Sequence, residues 1–258
     1  MSFEVCAALV ARGDPERFRA AMVAPAGAAR DGLMALYAFN LELARAGWVA
    51  SEPILGQIRL RWWADALAEI FAGLPPRAHE VCAPLAATIR GSDLPEAPLQ
   101  AMVAAREWDC DREGFAGHPE LVAYLEATGG GLAWLAARHL GAPAAAESVV
   151  REAGRASAGA AFLRAAPRLR ALGRRPLPEG AATAERLARD GLDWLARARA
   201  GRRTIPPAAL PALLQASPAG GVLRAALARP ALAIEGGLDP SEFALRGKVA
   251  LAALTGRW

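Results

Sequence analysis

The chain has 258 residues, 54% of them hydrophobic but only 6% aromatic, so alanine and leucine carry its apolar content. That balance favours helix and disfavours strand, and no alternating run rich in Val, Ile and Thr argues otherwise. A net charge of +4 is mild: it reads as a solvated basic surface, not as the footprint of a nucleic-acid-binding protein.

In chain order, the first residues carry Glu4, lack a basic n-region and offer an apolar run too short for a signal peptide. A short helix, a turn at Gly13-Asp14-Pro15 and a second helix through Ala21 precede a break at Ala24-Pro25-Ala26-Gly27. The spacing then predicts an αα-hairpin over residues 31–48 and 54–71. Leu33, Leu36, Phe39 and Leu43 share one side of the first helix. Ile54, Ile58, Trp62 and Ile70, with Trp63 and Leu67 beside them, mark the apolar face of the second. Gln57, Arg61, Asp65 and Glu69 line its polar face, with Ser51 as N-cap and Pro53 in the first turn. Gly73-Leu74-Pro75-Pro76 ends the hairpin. Further helices are expected over 80–90, from Pro95 to Arg112, over 119–139, from Ala145 to a stop at Pro167, from Thr183 to Arg199 with Arg186–Asp190 and Arg189–Asp193 pairs, and near 219–229 and 241–255. The longest uncharged stretch, 204–223, holds four prolines, which argues against a membrane span. No linker divides the chain, so residues 1–258 are expected to form one domain.

Few residues offer chemistry. Cys6, Cys82 and Cys110 are odd in number, far apart and without ligand spacing, which fits free thiols in a reducing compartment. His79, His118 and His139 are scattered and read as structural. Asp109 and Glu113, four apart in Arg106-Glu-Trp-Asp-Cys-Asp-Arg-Glu113, are weak metal candidates; a solvated helix end neutralised by Arg106 and Arg112 is the plainer reading. Gly129-Gly130-Gly131 lies inside a predicted helix, where it reads as close packing, with a gap beside a ligand chain as the other reading.

The stretch Leu36-Tyr37-Ala38-Phe39, followed by Asn40-Leu41-Glu42-Leu43-Ala44 and then Ser51-Glu52-Pro53, Gly56, Arg59 and Trp62, resembles the squalene/phytoene synthase family. Within that family it is similar to a non-catalytic branch that contains an assembly factor for respiratory complex I. Active members carry arginine and aspartates where this chain has Leu41, Ala44 and Trp48. In the second family motif, Leu163-Arg164 and Leu177-Pro178 are retained. Ala161 stands in place of an asparagine, and Ala165 and Leu169 in place of aspartates. Tyr124 matches one family tyrosine, while Ala127 replaces another. The resemblance implies an all-α isoprenoid synthase fold around a central cavity. It also implies that magnesium ions on two aspartate-rich faces hold the prenyl diphosphate in active members; magnesium belongs here only if the chain is active.

The resulting expectation is a non-catalytic homologue with no cofactor, binding a protein partner of the respiratory chain or a prenyl lipid, by resemblance in complex I assembly. The alternative is an active prenyl transferase that condenses prenyl diphosphates. Tyr37, Asn40, Glu42, Arg59, Trp62, Tyr124 and Arg164 are the candidate cavity or binding residues. Asn40, Glu42, Arg59 and Arg164 are expected to form a buried polar network at the cavity mouth, because polar groups facing a core must be paired. The protein is expected to be cytoplasmic, with peripheral contact to the inner membrane left open.

Overall fold

The computed structural model describes residues 2–49, 52–110 and 113–258, the side chains of Trp48 and Val49 excepted. Every regular element among them is helical. α1 (Phe3–Gly13) and α2 (Pro15–Ala21) meet at Asp14. Its carboxylate accepts the Arg17 backbone N–H at 2.9 Å and pairs with the Arg17 guanidinium, while Pro15 takes the first helical position.

α3 (Ala28–Val49) is the axis of the fold. Every residue from Gly32 to Asn40 is buried, so this helix is enclosed on all sides instead of presenting the single apolar face its leucine spacing predicts. Small residues make the other faces packable. A Cβ on Gly32 would overlap the His139 imidazole, whose Nε2–H donates to the Ala29 carbonyl at 3.0 Å while Nδ1 accepts from the Ser92 hydroxyl at 2.6 Å. That carbonyl can only accept, so the tautomer is fixed and His139 is structural.

α4 (Pro53–Phe71) folds back on α3. The predicted N-cap Ser51 lies outside the described residues; Pro53 opens the helix as expected. The predicted apolar face is corrected. Leu60, Trp63, Leu67 and Ile70 face the core, whereas Ile54 and Ile58 are 52% and 58% exposed. The reason is geometric: at 3.6 residues per turn a four-residue step overshoots by about 40°, so a row taken four at a time from Ile54 ends roughly on the opposite side at Ile70. On the polar side Arg61 and Asp65 pair at 3.0 Å, and Glu69 accepts two bonds from Arg77.

α5 (Cys82–Ser92) ends on Asp93 in the left-handed region, and α6 (Glu96–Ala105) passes into a 3-10 turn over Arg106–Cys110. The helix therefore stops before the expected Arg112. α7 (His118–Leu125) and α8 (Gly131–His139) are one helical run joined by a π turn over Glu126–Gly130. α9 (Glu147–Ala171) runs through Pro167, where a stop is predicted. The proline removes one helical bond, and buried Ala166 and Leu169 hold the last turn against the core. A Gly173 cap follows, with Gly173 N–H on Arg170 O and Arg174 N–H on Leu169 O. α10 (Ala181–Ala200), α11 (Ala216–Ala228), α12 (Leu232–Glu235) and α13 (Glu242–Thr255) complete the fold. The predicted pairs on α10 are replaced: Arg186 meets Glu179, Arg189 meets Glu185, and Asp190 reaches His118 Nε2 at 2.6 Å. No helix among the described residues is long and apolar enough to cross a membrane.

The core also sets a pH limit. Burial pushes the Cys6 thiol up to about 11, with Glu80 adding to it, and the Cys82 thiol up to about 12. It pushes the Tyr37 phenol up to about 12 against the opposing Arg17 guanidinium. Each acid keeps its proton in the folded state at pH values where the unfolded chain has lost it, so stability falls as pH rises above the unfolded values. Urea melts are expected to shift to lower midpoints from about pH 9 upward, with a flatter dependence in Tyr37→Phe. An unchanged midpoint up to about pH 11 would mean that these groups are not buried as described.

Candidate functional site

The positions that the family resemblance aligns with aspartates lie on α3 and α9. Ala44 is half-buried, Ala165 is exposed and Leu169 is buried; the side chain of Trp48 is outside the described residues. Leu41 packs at Gly13, and Ala161 lines a small cavity of about 140 Å³ next to Arg164. Ala127 sits in the π turn.

The π turn and α9 meet at very close range. Gly129 in the π turn and Gly154 on α9 lie back to back. A Cβ on Gly154 would stand 2.5 Å from the Ala133 Cβ and 2.6 Å from the Gly129 carbonyl oxygen, and one on Gly129 would overlap the Ala158 Cβ. The space left there, beside Tyr37 and Ser157, is about 10 Å³, room for one water at most. The glycine run is thus a close-packing device.

Below the α3–α4 hairpin the 3-10 turn is pressed into place. A Cβ on Gly47 would overlap the Asp109 carbonyl, and one on Gly56 would come within 2.7 Å of Cys110 Sγ. The turn carries an ion pair that the sequence reading misplaces. Asp109 is not at a solvated helix end: it is buried, and Arg106 Nη1 donates to its Oδ2 at 2.9 Å. The same guanidinium donates to Tyr124 Oη at 2.7 Å and, through Nη2, to Asn40 Oδ1 at 3.3 Å. The Tyr124 hydroxyl donates to both Asp109 oxygens at 3.1 and 3.2 Å. Burial raises the Tyr124 phenol well above its usual range, Arg106 opposing and Asp109 adding to the rise. Arg174 Nη2 donates to the Gly47 carbonyl at 3.2 Å and to the Asp109 carbonyl, joining α3, the turn and the segment after α9. Trp108, stacked on Phe115 at 4.0 Å, and Phe162 wall the Tyr124 ring. Glu113 is exposed and off the helix, so it is not one turn from Asp109.

The expected network of Asn40, Glu42, Arg59 and Arg164 is therefore corrected. Asn40 belongs to the Arg106 cluster. Arg164 pairs with Glu16 at 2.9 Å and Asp239 at 2.8 Å. Glu42, with 14% of its side chain exposed, meets Arg45 at 3.3 Å and His79 at 3.8 Å, and Arg59 is exposed. Helices of 22 and 19 residues carry side chains to several faces, so sharing a hairpin does not make two residues meet. Glu42, Arg59 and Trp62 do share one feature: all three line an open groove of about 520 Å³ on the outside of the hairpin.

Among the described residues, those at the aligned positions and in the Asp109 cluster do not fit a magnesium site. A hard cation needs about six oxygens. Positions 44, 165 and 169 supply none, and both Asp109 oxygens are engaged by Arg106 and Tyr124.

This arrangement of helices has known counterparts. The model of the squalene/phytoene synthase family matches residues 10–246, and the chain belongs to that family. Among solved structures it is similar to the squalene synthase HpnC from Alicyclobacillus acidocaldarius, with a TM-score of 0.74 and 18% identity over 87% of this chain and 92% of that one. A dehydrosqualene synthase solved with a ligand gives a TM-score of 0.81 at 15% identity, over 96% of this chain and 94% of the other. At those identities the likeness is one of fold. In sequence, the chain is 29% identical over 136 residues to NADH dehydrogenase (ubiquinone) complex I, assembly factor 6, from Mus musculus and from Homo sapiens. That match covers 53% of this chain and 40% of each relative.

Proposed function

We propose that this chain is a non-catalytic member of its family that acts by binding a protein partner, in the assembly of respiratory complex I. The observation that carries the reading is the donor set: Ala44, Ala165 and Leu169 stand on α3 and α9 where the family resemblance places aspartates, and the helices close on one another at Gly129 and Gly154, with about 10 Å³ beside that contact. A prenyl chain finds no room at that contact, since ligand cavities run to roughly 300–1,000 Å³. The same closure favours a protein over a prenyl lipid as the bound partner. Similarity to complex I assembly factor 6 supports the choice of system. No metal has a role in this reading.

Incubated with farnesyl or geranylgeranyl diphosphate and magnesium, the protein is expected to release no condensed product, because positions 44, 165 and 169 offer no carboxylates to hold a diphosphate–metal complex. Product that depends on the protein would overturn the reading in favour of a working prenyl transferase.

A further inference from the structure

The outer groove of the hairpin is built for contact, and nothing in the closed interior uses it. One wall is the first half of α4, where Leu55, Ile58 and Trp62 present their side chains to the groove and Ile54 stands exposed beside them. Glu42 and His79 form the floor. Large aliphatic side chains half or more exposed on consecutive turns are costly in water unless a partner covers them.

The floor is rigid before anything binds. Arg77 is locked to Glu69 by bonds of 2.7 and 2.8 Å, and its guanidinium lies over the Trp62 ring at 5.3 Å. The Trp62 ring also meets Trp63 edge-on at 5.0 Å and His79 at 5.5 Å. The Val81 backbone N–H donates to His79 Nδ1 at 3.2 Å, which leaves Nε2–H facing Glu42 at 3.8 Å. A surface already ordered loses little entropy on binding.

Charge decides what fits. Glu42 is compensated by Arg45, and the His79 Nε2–H is turned toward it. Arg59, on the rim, has no ion-pair or hydrogen-bond partner among the described residues. The groove is therefore cationic at its edge and aliphatic along its wall, and Ile54 to Trp62 run about 12 Å along the α4 axis, two turns of helix. A lipid surface fits less well: the groove is concave, and docking in hydrocarbon would bury the Glu42 carboxylate in its floor.

We propose that this groove is the docking site for an amphipathic helix of a partner protein, which lays apolar side chains on Leu55, Ile58 and Trp62 and offers a carboxylate to Arg59. The proposal rests on the protein-binding function given above and names the surface and the chemistry of the partner. Recognition is of the helix-in-groove kind, with anchors spaced three and four apart.

The test uses the full chain and a displayed library of helix-forming peptides with randomised surface positions, counter-selected on the Ile58→Glu variant. Both substituted positions are exposed, and circular dichroism melts check that Ile58→Glu and Arg59→Glu keep the wild-type fold; Ile58→Ser replaces Ile58→Glu if it does not. The enriched peptides are expected to share apolar residues three and four apart with an aspartate or glutamate beside them. They should bind each variant at least about tenfold more weakly than wild type. A peptide with lysine in place of its carboxylate should regain binding to Arg59→Glu. Enriched peptides that bind both variants as well as wild type, or no groove-dependent enrichment at all, would overturn the proposal. So would sedimentation of the wild type, but not of Ile58→Glu, with vesicles of phosphatidylcholine and phosphatidylglycerol, which would make the patch a lipid face. Condensed product in the diphosphate assay would instead remove the non-catalytic reading and leave a measured peptide affinity standing.

Discussion

Replacing Asp109 by alanine is expected to lower the unfolding free energy by about 3–5 kcal/mol. The side chains of Arg106 and Asp109 are only 14% and 6% exposed, and their contact at 2.9 Å is part of a cluster with Tyr124 and Asn40. Removing the carboxylate leaves a guanidinium buried without its counter-charge and takes away the acceptor of the Tyr124 hydroxyl. The wild-type pair contributes little by itself, because desolvating both charges offsets their attraction. Taking out both partners in Arg106→Met/Asp109→Leu should therefore recover much of the loss. Urea unfolding of the single and double variants measures this. A single-variant loss under about 1 kcal/mol, the range of surface pairs, would show that water reaches the cluster.

The second large effect lies at Gly154. In an exposed helix interior, alanine in place of glycine gains about 1 kcal/mol. At Gly154 the sign is expected to reverse, with a cost of about 1–3 kcal/mol for alanine and more for leucine. The added Cβ meets the Ala133 Cβ at 2.5 Å and the Gly129 carbonyl oxygen at 2.6 Å, and neither atom belongs to a side chain that can swing away. Gly91, near the end of α5, has nothing within 4 Å of the same atom. Gly91→Ala is the internal control and should be neutral or slightly stabilising. Thermal melts of the two variants decide it, and a stabilised Gly154→Ala would mean that the helices are not in contact there.

The sequence reveals where helices run because local signals place them: Pro53 opens α4, and the glycine at 73 closes it. It also reveals the family, because short motifs on α3 and α9 survive. What it hides is side-chain company. Arg106 meets Tyr124 and Asn40, which are 18 and 66 residues away, so no spacing within a helix points to the cluster. The Arg106–Asp109 spacing is the one local hint, and a charged run is equally compatible with a wet surface. The face of α4 is misread for a different reason: a four-residue row drifts around a 3.6-residue helix, so Ile54 and Ile58 look like core until the helix is set against α3.

The Arg174 guanidinium spans the Gly47 and Asp109 carbonyls and so ties the hairpin to the filling turn. Ala44→Asp with Ala165→Asp would add two carboxylates but no volume, since the 3-10 turn still presses on Gly47 and Gly129 still packs on Gly154. Opening space there means giving up contacts that stabilise the fold. Substitutions toward an open interior are thus coupled, since each costs stability until the others are in place.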